Sequence, residues 1–137
     1  MALSTSNVRL RVCGLVVSRG KILLVRHRNS DYFMLPGGAI EPRENFSSTL
    51  GRELREEISC KVEKMEYFGT YVSPLPSEVA NIPNCSVTFL AEVAGEPKPA
   101  AEIAEVKWFT AADLREAKLS QSAKFFAKKL IEKGMVK

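Results

Sequence analysis

Three glutamates, Glu53, Glu56 and Glu57, stand at i, i+3 and i+4 in a chain of 137 residues. Leu50, Leu54 and Ile58 recur at i, i+4 and i+8 through the same stretch, which predicts a helix over 45–59. At 100° per residue the three acids centre roughly 110° from the apolar stripe and share one patch beside it. Like charges at that spacing repel by a few tenths of a kcal/mol. A divalent cation reverses the sign of that interaction. Donors that are all oxygen suit Mg²⁺ or Mn²⁺, hard ions that keep several waters and bind phosphate oxygens.

Ahead of the helix stands Leu35-Pro36-Gly37-Gly38, a break where two residues without side chains let the backbone approach a ligand closely. Alone, a run such as Arg52-Glu53-Leu54-Arg55-Glu56-Glu57 is an ordinary solvated helix face. The joint spacing says more. Gly38, Glu44, Arg52-Glu53-Leu54 and Glu56-Glu57 stand at the intervals of the signature box of the Nudix hydrolases, which the chain resembles over residues 38–60. By average residue usage such a match arises by chance roughly once in 10⁶ chains of this size. The end of the box departs from the pattern: Ser59 and Cys60 stand where the family has Gly and an aliphatic residue. A left-handed cap at Ser59 costs about 1 kcal/mol more than at Gly, and no acid is lost.

The resemblance implies an α/β/α sandwich on a mixed β-sheet, with hydrolysis of a nucleoside diphosphate linked to another moiety in the presence of Mg²⁺ or Mn²⁺. Glu53, Glu56 and Glu57 match the metal-binding carboxylates, and a carbonyl of Gly37 or Gly38 would complete the shell. Glu44 matches the acid that supports the site from the loop, and Arg52 the arginine that orients the first helical glutamate. The oxygens of a phosphoanhydride repel anionic nucleophiles; bound metal neutralises that charge and lowers the pKa of a coordinated water. A glutamate in reach of that water then takes its proton, with Glu53 the first choice and Glu56 the second. Glu102 or Glu105 would be a further acid, unless both are plain solvated loop residues.

Substrate contacts are sought among Arg26, His27, Arg28, Tyr32 and Phe33. Strand alternation puts Arg26 and Arg28 on one face and His27 on the other, so the three would not meet one phosphate. His27 is expected on the surface or in packing, Tyr32 and Phe33 as loop anchors more than base-stacking rings, and Trp108 in the core.

These groups need a scaffold. Residues 8–17 and 21–28 flank a Ser18-Arg19-Gly20-Lys21 turn and predict a hairpin. Strands are expected at 65–72 and 85–93, separated by a loop with Pro74, Pro76 and Pro83, and at 104–109. Thr110 to Asp113 is a helix start with capping-box character, and a closing helix runs over 120–133 with Gly134 as its cap. The mixture argues for an α/β protein with a mixed sheet, and the length for a single domain over 1–137.

Composition agrees with a globular chain: 45% hydrophobic and 26% charged residues exclude a disordered tail. No apolar run approaches the ~20 residues of a membrane span, and residues 1–7 lack secretory patterning, so a cytoplasmic protein away from membranes is expected. Cys13, Cys60 and Cys85 are odd in number and form no CxxC pair, which reads as reduced, buried thiols. A net charge of +4 favours phosphorylated partners, but no basic stripe with interleaved aromatics points to nucleic acid. Lys124, Lys128, Lys129 and Lys133 read as the solvated face of the last helix. Dimers, common in the family, are open to this chain.

Within the resemblance, Pro76 falls where a proline accompanies ADP-ribose hydrolysis, which favours an ADP-ribose-like substrate narrowly. The short chain instead resembles the small enzymes that clear nucleoside triphosphates, oxidised ones included. A non-catalytic nucleotide-binding module would have lost a helical glutamate, and all three stand here with Glu44. An RNA-directed pyrophosphohydrolase would need a basic groove.

Overall fold

The computed structural model describes residues 8–73 and 82–137. Pro74 and Pro76, and with them the proline argument for ADP-ribose, lie outside the described residues. The elements are β1 (Arg9–Leu15), β2 (Val17–Ser18), β3 (Lys21–His27), β4 (Gly37–Ala39), α1 (Phe46–Ile58), β5 (Lys61–Val72), β6 (Asn84–Ala94), β7 (Ile103–Phe109), α2 (Ala111–Glu116) and α3 (Gln121–Glu132).

The strands form two sheets. One, in the order β4-β1-β6-β5, is mixed: β1 runs parallel to β6, while β4 and β5 pair antiparallel at the edges. The other, β2-β3-β7, is antiparallel. The hairpin expected over 8–28 shrinks accordingly to β2 and β3. Arg19 and Gly20 both take positive φ in its turn, the conformation that lets a two-residue loop match strand twist. The segment read as one strand over 8–17 changes sheet at Val16, whose carbonyl accepts from the Leu23 N–H at 2.9 Å. Apolar continuity marked the stretch as buried and was blind to this change.

Burial on both faces explains that continuity. Val12, Leu23 and Val25 pack with Leu50, Leu54 and Ile58 of α1. Their alternates Cys13, Leu15, Ile22 and Leu24 pack with Leu114 of α2 and Phe126 and Leu130 of α3. Helices thus cover opposite faces of the strand layer, the α/β/α arrangement expected.

The helix ends follow their cap residues. Asn45 and Ser48 form a reciprocal capping box at the start of α1. At its end Ser59 adopts φ 60 and ψ 30, the left-handed cap that the family's glycine would take without penalty. Cys60 follows, buried, with its thiol 3.6 Å from the Gly95 carbonyl. Thr110 and Asp113 cap α2 reciprocally, Ser120 caps α3, and Gly134 follows α3 with positive φ. All three cysteines are free thiols. Among the described residues no helix is long and apolar enough to cross a membrane.

Candidate active site

The glycines come first because their backbone positions everything else. Gly37 has φ +147, and a Cβ there would sit 2.1 Å from the Val12 carbonyl oxygen of β1. A Cβ on Gly38 would sit 2.5 Å from the Glu53 carboxyl. Gly37 therefore requires glycine, lying against the backbone of a neighbouring strand, while a side chain at Gly38 would displace the Glu53 carboxyl. The Gly37 N–H donates to Glu57 Oε1 at 2.8 Å, and its carbonyl accepts from Arg11 at 3.1 Å. One residue joins an acid of the helix to a cation of β1.

Arg52 organises the outer part. It donates to both Glu44 oxygens, at 2.7 and 3.0 Å, to Glu53 Oε1 at 2.8 Å and to the Ala39 carbonyl at 3.1 Å. Glu44 also accepts from Thr49 Oγ1 at 2.9 Å and from the Glu41 N–H at 3.0 Å. Hydrogen bonding to Arg52 lowers the Glu44 pKa to about 2, and the same bond raises that of Arg52. Glu44 and Arg52 thus tie loop, β4 and helix together, and Arg52 holds one oxygen of Glu53.

Glu57 is the surprise of the helix. It is buried, while Glu53 is largely buried and Glu56 about half exposed. Helical geometry accounts for it: seven residues after Leu50, Glu57 returns to within roughly 20° of that leucine. Averaging the three acids into one direction hid this. Burial pushes its pKa up to about 8, against the pull of the Gly37 N–H, and the charge on Glu53 adds to the rise.

A cavity of about 790 Å³ opens onto these groups, with Gly37, Gly38, Glu53 and Glu57 on one side and Arg9, Arg11, His27, Arg28 and Tyr32 among its other lining residues. A smaller recess of about 220 Å³ is lined by Arg52, Glu53, Glu56, Glu57 and Glu102. Another groove of about 630 Å³, bordered by Leu15, Met65, Leu90 and Met135, gathers no comparable set of polar groups, so the chemistry belongs to the first two.

The donor chemistry fits a hard divalent cation. Every candidate side-chain ligand is a carboxylate, and Glu57 is held toward its protonated form next to two other acids, a state that a cation relieves. No three acidic, histidine or cysteine side chains among the described residues converge as a ready chelate. Glu53 is turned onto Arg52, Glu57 onto the Gly37 N–H, and Glu56 is about half exposed beside Arg52.

The remaining candidates divide. His27 and Arg28 both line the cavity and Arg26 does not: Arg28 lies past the end of β3, where strand alternation no longer applies. Arg26 turns away to Glu105, at 3.3 Å, and to the Ser30 carbonyl. Glu105 is thereby an ion-pair partner and not a site acid, whereas Glu102 lines both cavity and recess. His27, expected on the surface or in packing, stands 3.8 Å from Glu57 with its pKa lowered, first by burial and then by the Arg11 charge. Phe33 is not at the cavity: it packs edge-on against Phe109, at 4.8 Å, in the α3-side core. Trp108 is half-buried against the α1-side core. Arg9 and Arg11 were missed. Their signal was two cations two residues apart in an otherwise apolar strand.

The NUDIX domain profile matches residues 8–131, and the chain belongs to that family. The chain is 35% identical to the NAD-capped RNA hydrolase NudC of Vibrio vulnificus over 91 residues, 65% of this chain and 32% of that protein. It is 31% identical to the 8-oxo-dGTP diphosphatase of Buchnera aphidicola over 61 residues, 42% of this chain and 47% of that one. It thus spans a third to a half of these relatives. Among solved structures, the NUDIX domain of Shewanella oneidensis NrtR, complexed with ADP ribose, superposes with a TM-score of 0.76 at 21% identity, covering 91% of this chain and 87% of that chain. That likeness shows the fold.

Proposed function

We propose that this protein hydrolyses the pyrophosphate linkage of a nucleoside diphosphate derivative, using Mg²⁺ or Mn²⁺. The observation that carries the reading is one cavity with Glu53 and Glu57 on one wall and cationic side chains on another. A phosphate-bearing ligand fits such a cavity: carboxylates that would hold a cation stand on one side and guanidinium groups on the other. An NAD cap, 8-oxo-dGTP and ADP ribose, the compounds named for the relatives and the neighbour, share a nucleoside carrying a phosphoanhydride. An NAD cap on RNA presents the same bridge, so the expectation that nucleic acid plays no part is set aside.

Glu53, Glu56 and Glu57 would hold the cation, with Gly37 and Gly38 supplying backbone beside them. When bound, the ion supplies a coordinated water of lowered pKa and neutralises the bridge oxygens. Glu53, held by its hydrogen bond from Arg52, would accept a proton from the attacking water, with Glu56 the next group placed to do so. Arg52 and Glu44 act as positioning residues. Glu102 faces the same recess from the segment before β7.

The test is a product screen over ADP-ribose, deoxynucleoside triphosphates, oxidised dGTP and dinucleoside polyphosphates with Mg²⁺. AMP from ADP-ribose, or pyrophosphate from a triphosphate, is the expected outcome. Absence of any anhydride cleavage with either metal overturns the proposal.

A further inference from the structure

The cavity contains two cations that hydrolysis at α1 does not use. Arg9 and Arg11 are two residues apart on β1, so their side chains leave the same face of the strand, and both line the cavity. Arg11 is only 3% exposed. One of its terminal nitrogens donates to Gly37, but its buried Nε has no partner among the described residues, and neither has one buried terminal nitrogen of Arg9. Neither side chain appears in any ion pair of the described residues. The nearby acids are committed: Glu57 to the Gly37 N–H, Glu53 to Arg52. Burial, and then the charge of Arg11, pull the Arg9 pKa down.

Two guanidinium groups on one face of β1, Arg11 buried and Arg9 partly so, with neither in an ion pair among the described residues, are costly to the free protein. The cost has a use where an anion arrives from outside. Guanidinium groups present planar forks that match phosphate oxygens, and Arg28 adds a third cation on the same cavity. The cavity has the size of a small-ligand site. A bridge of two phosphates is already served by the cation that the α1 acids would hold. A terminal phosphoryl group adds roughly 1.5 to 2 further negative charges at neutral pH, where an uncharged ribose adds none.

We propose that Arg9 and Arg11 form a phosphate-binding pair that takes a terminal phosphoryl group beyond the bridge, so that the preferred substrates are nucleoside triphosphates and not ADP-ribose-like compounds. This rests on the hydrolytic reading of the same cavity, and it reverses the narrow preference for ADP-ribose drawn from the sequence.

Two measurements test it, one without turnover. Inorganic tripolyphosphate is titrated calorimetrically into the protein in EDTA, for wild type, R9Q, R11Q and R9K. Wild type binds, and each glutamine variant weakens binding about tenfold or more, the scale of a lost charged hydrogen bond. R9K restores part of it. With Mg²⁺, the ratio of kcat/KM for dGTP over ADP-ribose falls about tenfold in R9Q. Because Arg11 is buried, circular dichroism accompanies R11Q, and R9Q alone decides if R11Q does not fold. Tripolyphosphate binding unchanged in R9Q overturns the pair, as does an equal loss on both substrates, which would place the arginines on the shared bridge. Arginine-dependent tripolyphosphate binding with no hydrolysis of any anhydride would leave the pair standing and remove the hydrolytic reading instead.

Discussion

The two walls of the cavity are built in opposite ways. Glu53 and Glu57, with Glu56 in the adjoining recess, come from consecutive turns of one helix, whose period alone sets them close. Arg9 and Arg11 come from β1, His27 and Arg28 from the end of β3, Tyr32 from the loop after it. Only the crossing of the chain between two sheets brings that second group to one place. The acidic wall is a local feature with a fixed spacing, and the cationic wall is a product of topology.

Breaking the acidic wall is expected to have the largest effect. E53Q lowers kcat by two orders of magnitude or more while circular dichroism stays unchanged, since the side chain lies outside the apolar core. Near wild-type turnover in E53Q would remove the acid from its role. G38A comes next. The added methyl meets the Glu53 carboxyl and forces it to move, so kcat falls at least about tenfold, with a smaller loss of thermal stability. Turnover equal to wild type would show that Glu53 needs no fixed position.

A pH series then separates the two walls. In the metal-free protein the Glu57 carboxyl titrates near about 8, whereas in the unfolded chain it titrates in the ordinary carboxylate range. Between those values the native state keeps a proton that the unfolded chain has released. Stability is therefore greatest below the ordinary carboxylate range, falls as pH rises through the interval, and levels off above about 8. The loss is on the order of a few kcal/mol at most. Thermal melts in EDTA at acidic and alkaline pH read it, saturating Mg²⁺ flattens it, and E57Q abolishes it. A metal-free protein whose stability rises across the same interval contradicts the account of Glu57.

The smallest effect is expected away from both walls. S59G removes the penalty of a left-handed serine at the end of α1 and raises stability by about 1 kcal/mol, read as a higher Tm, with kcat/KM unchanged. An unchanged or lower Tm would show that Ser59 is compensated by contacts of its own.

Legibility in the sequence follows the same division. The limits of α1, the capping box of α2 and the start of α3 could be read because helix caps are local chemistry. The box from Gly38 to Glu57 could be read because its spacing is carried by one loop and one helix. The hairpin over 8–28 could not, since a continuous apolar run does not show where a chain changes sheet. Alternation separated Arg26 from His27 and stopped applying at Arg28, which lies past the last residue of β3, and Phe33 was sought at the ligand although it fills the α3-side core. Arg9 and Arg11 lacked any partner in the linear pattern. Their meaning depends on Gly37 and on the helix behind it, elements brought to them by the pairing of β1 with β4.

The central claim is that the acids of α1 hold a divalent cation beside the glycine strand. Titration of Mn²⁺ followed by electron paramagnetic resonance tests it directly, on wild type and on E53Q, E56Q and E57Q. The account predicts binding by wild type that weakens about tenfold or more in E53Q and E57Q, and it is contradicted if all four proteins take up the ion with equal affinity.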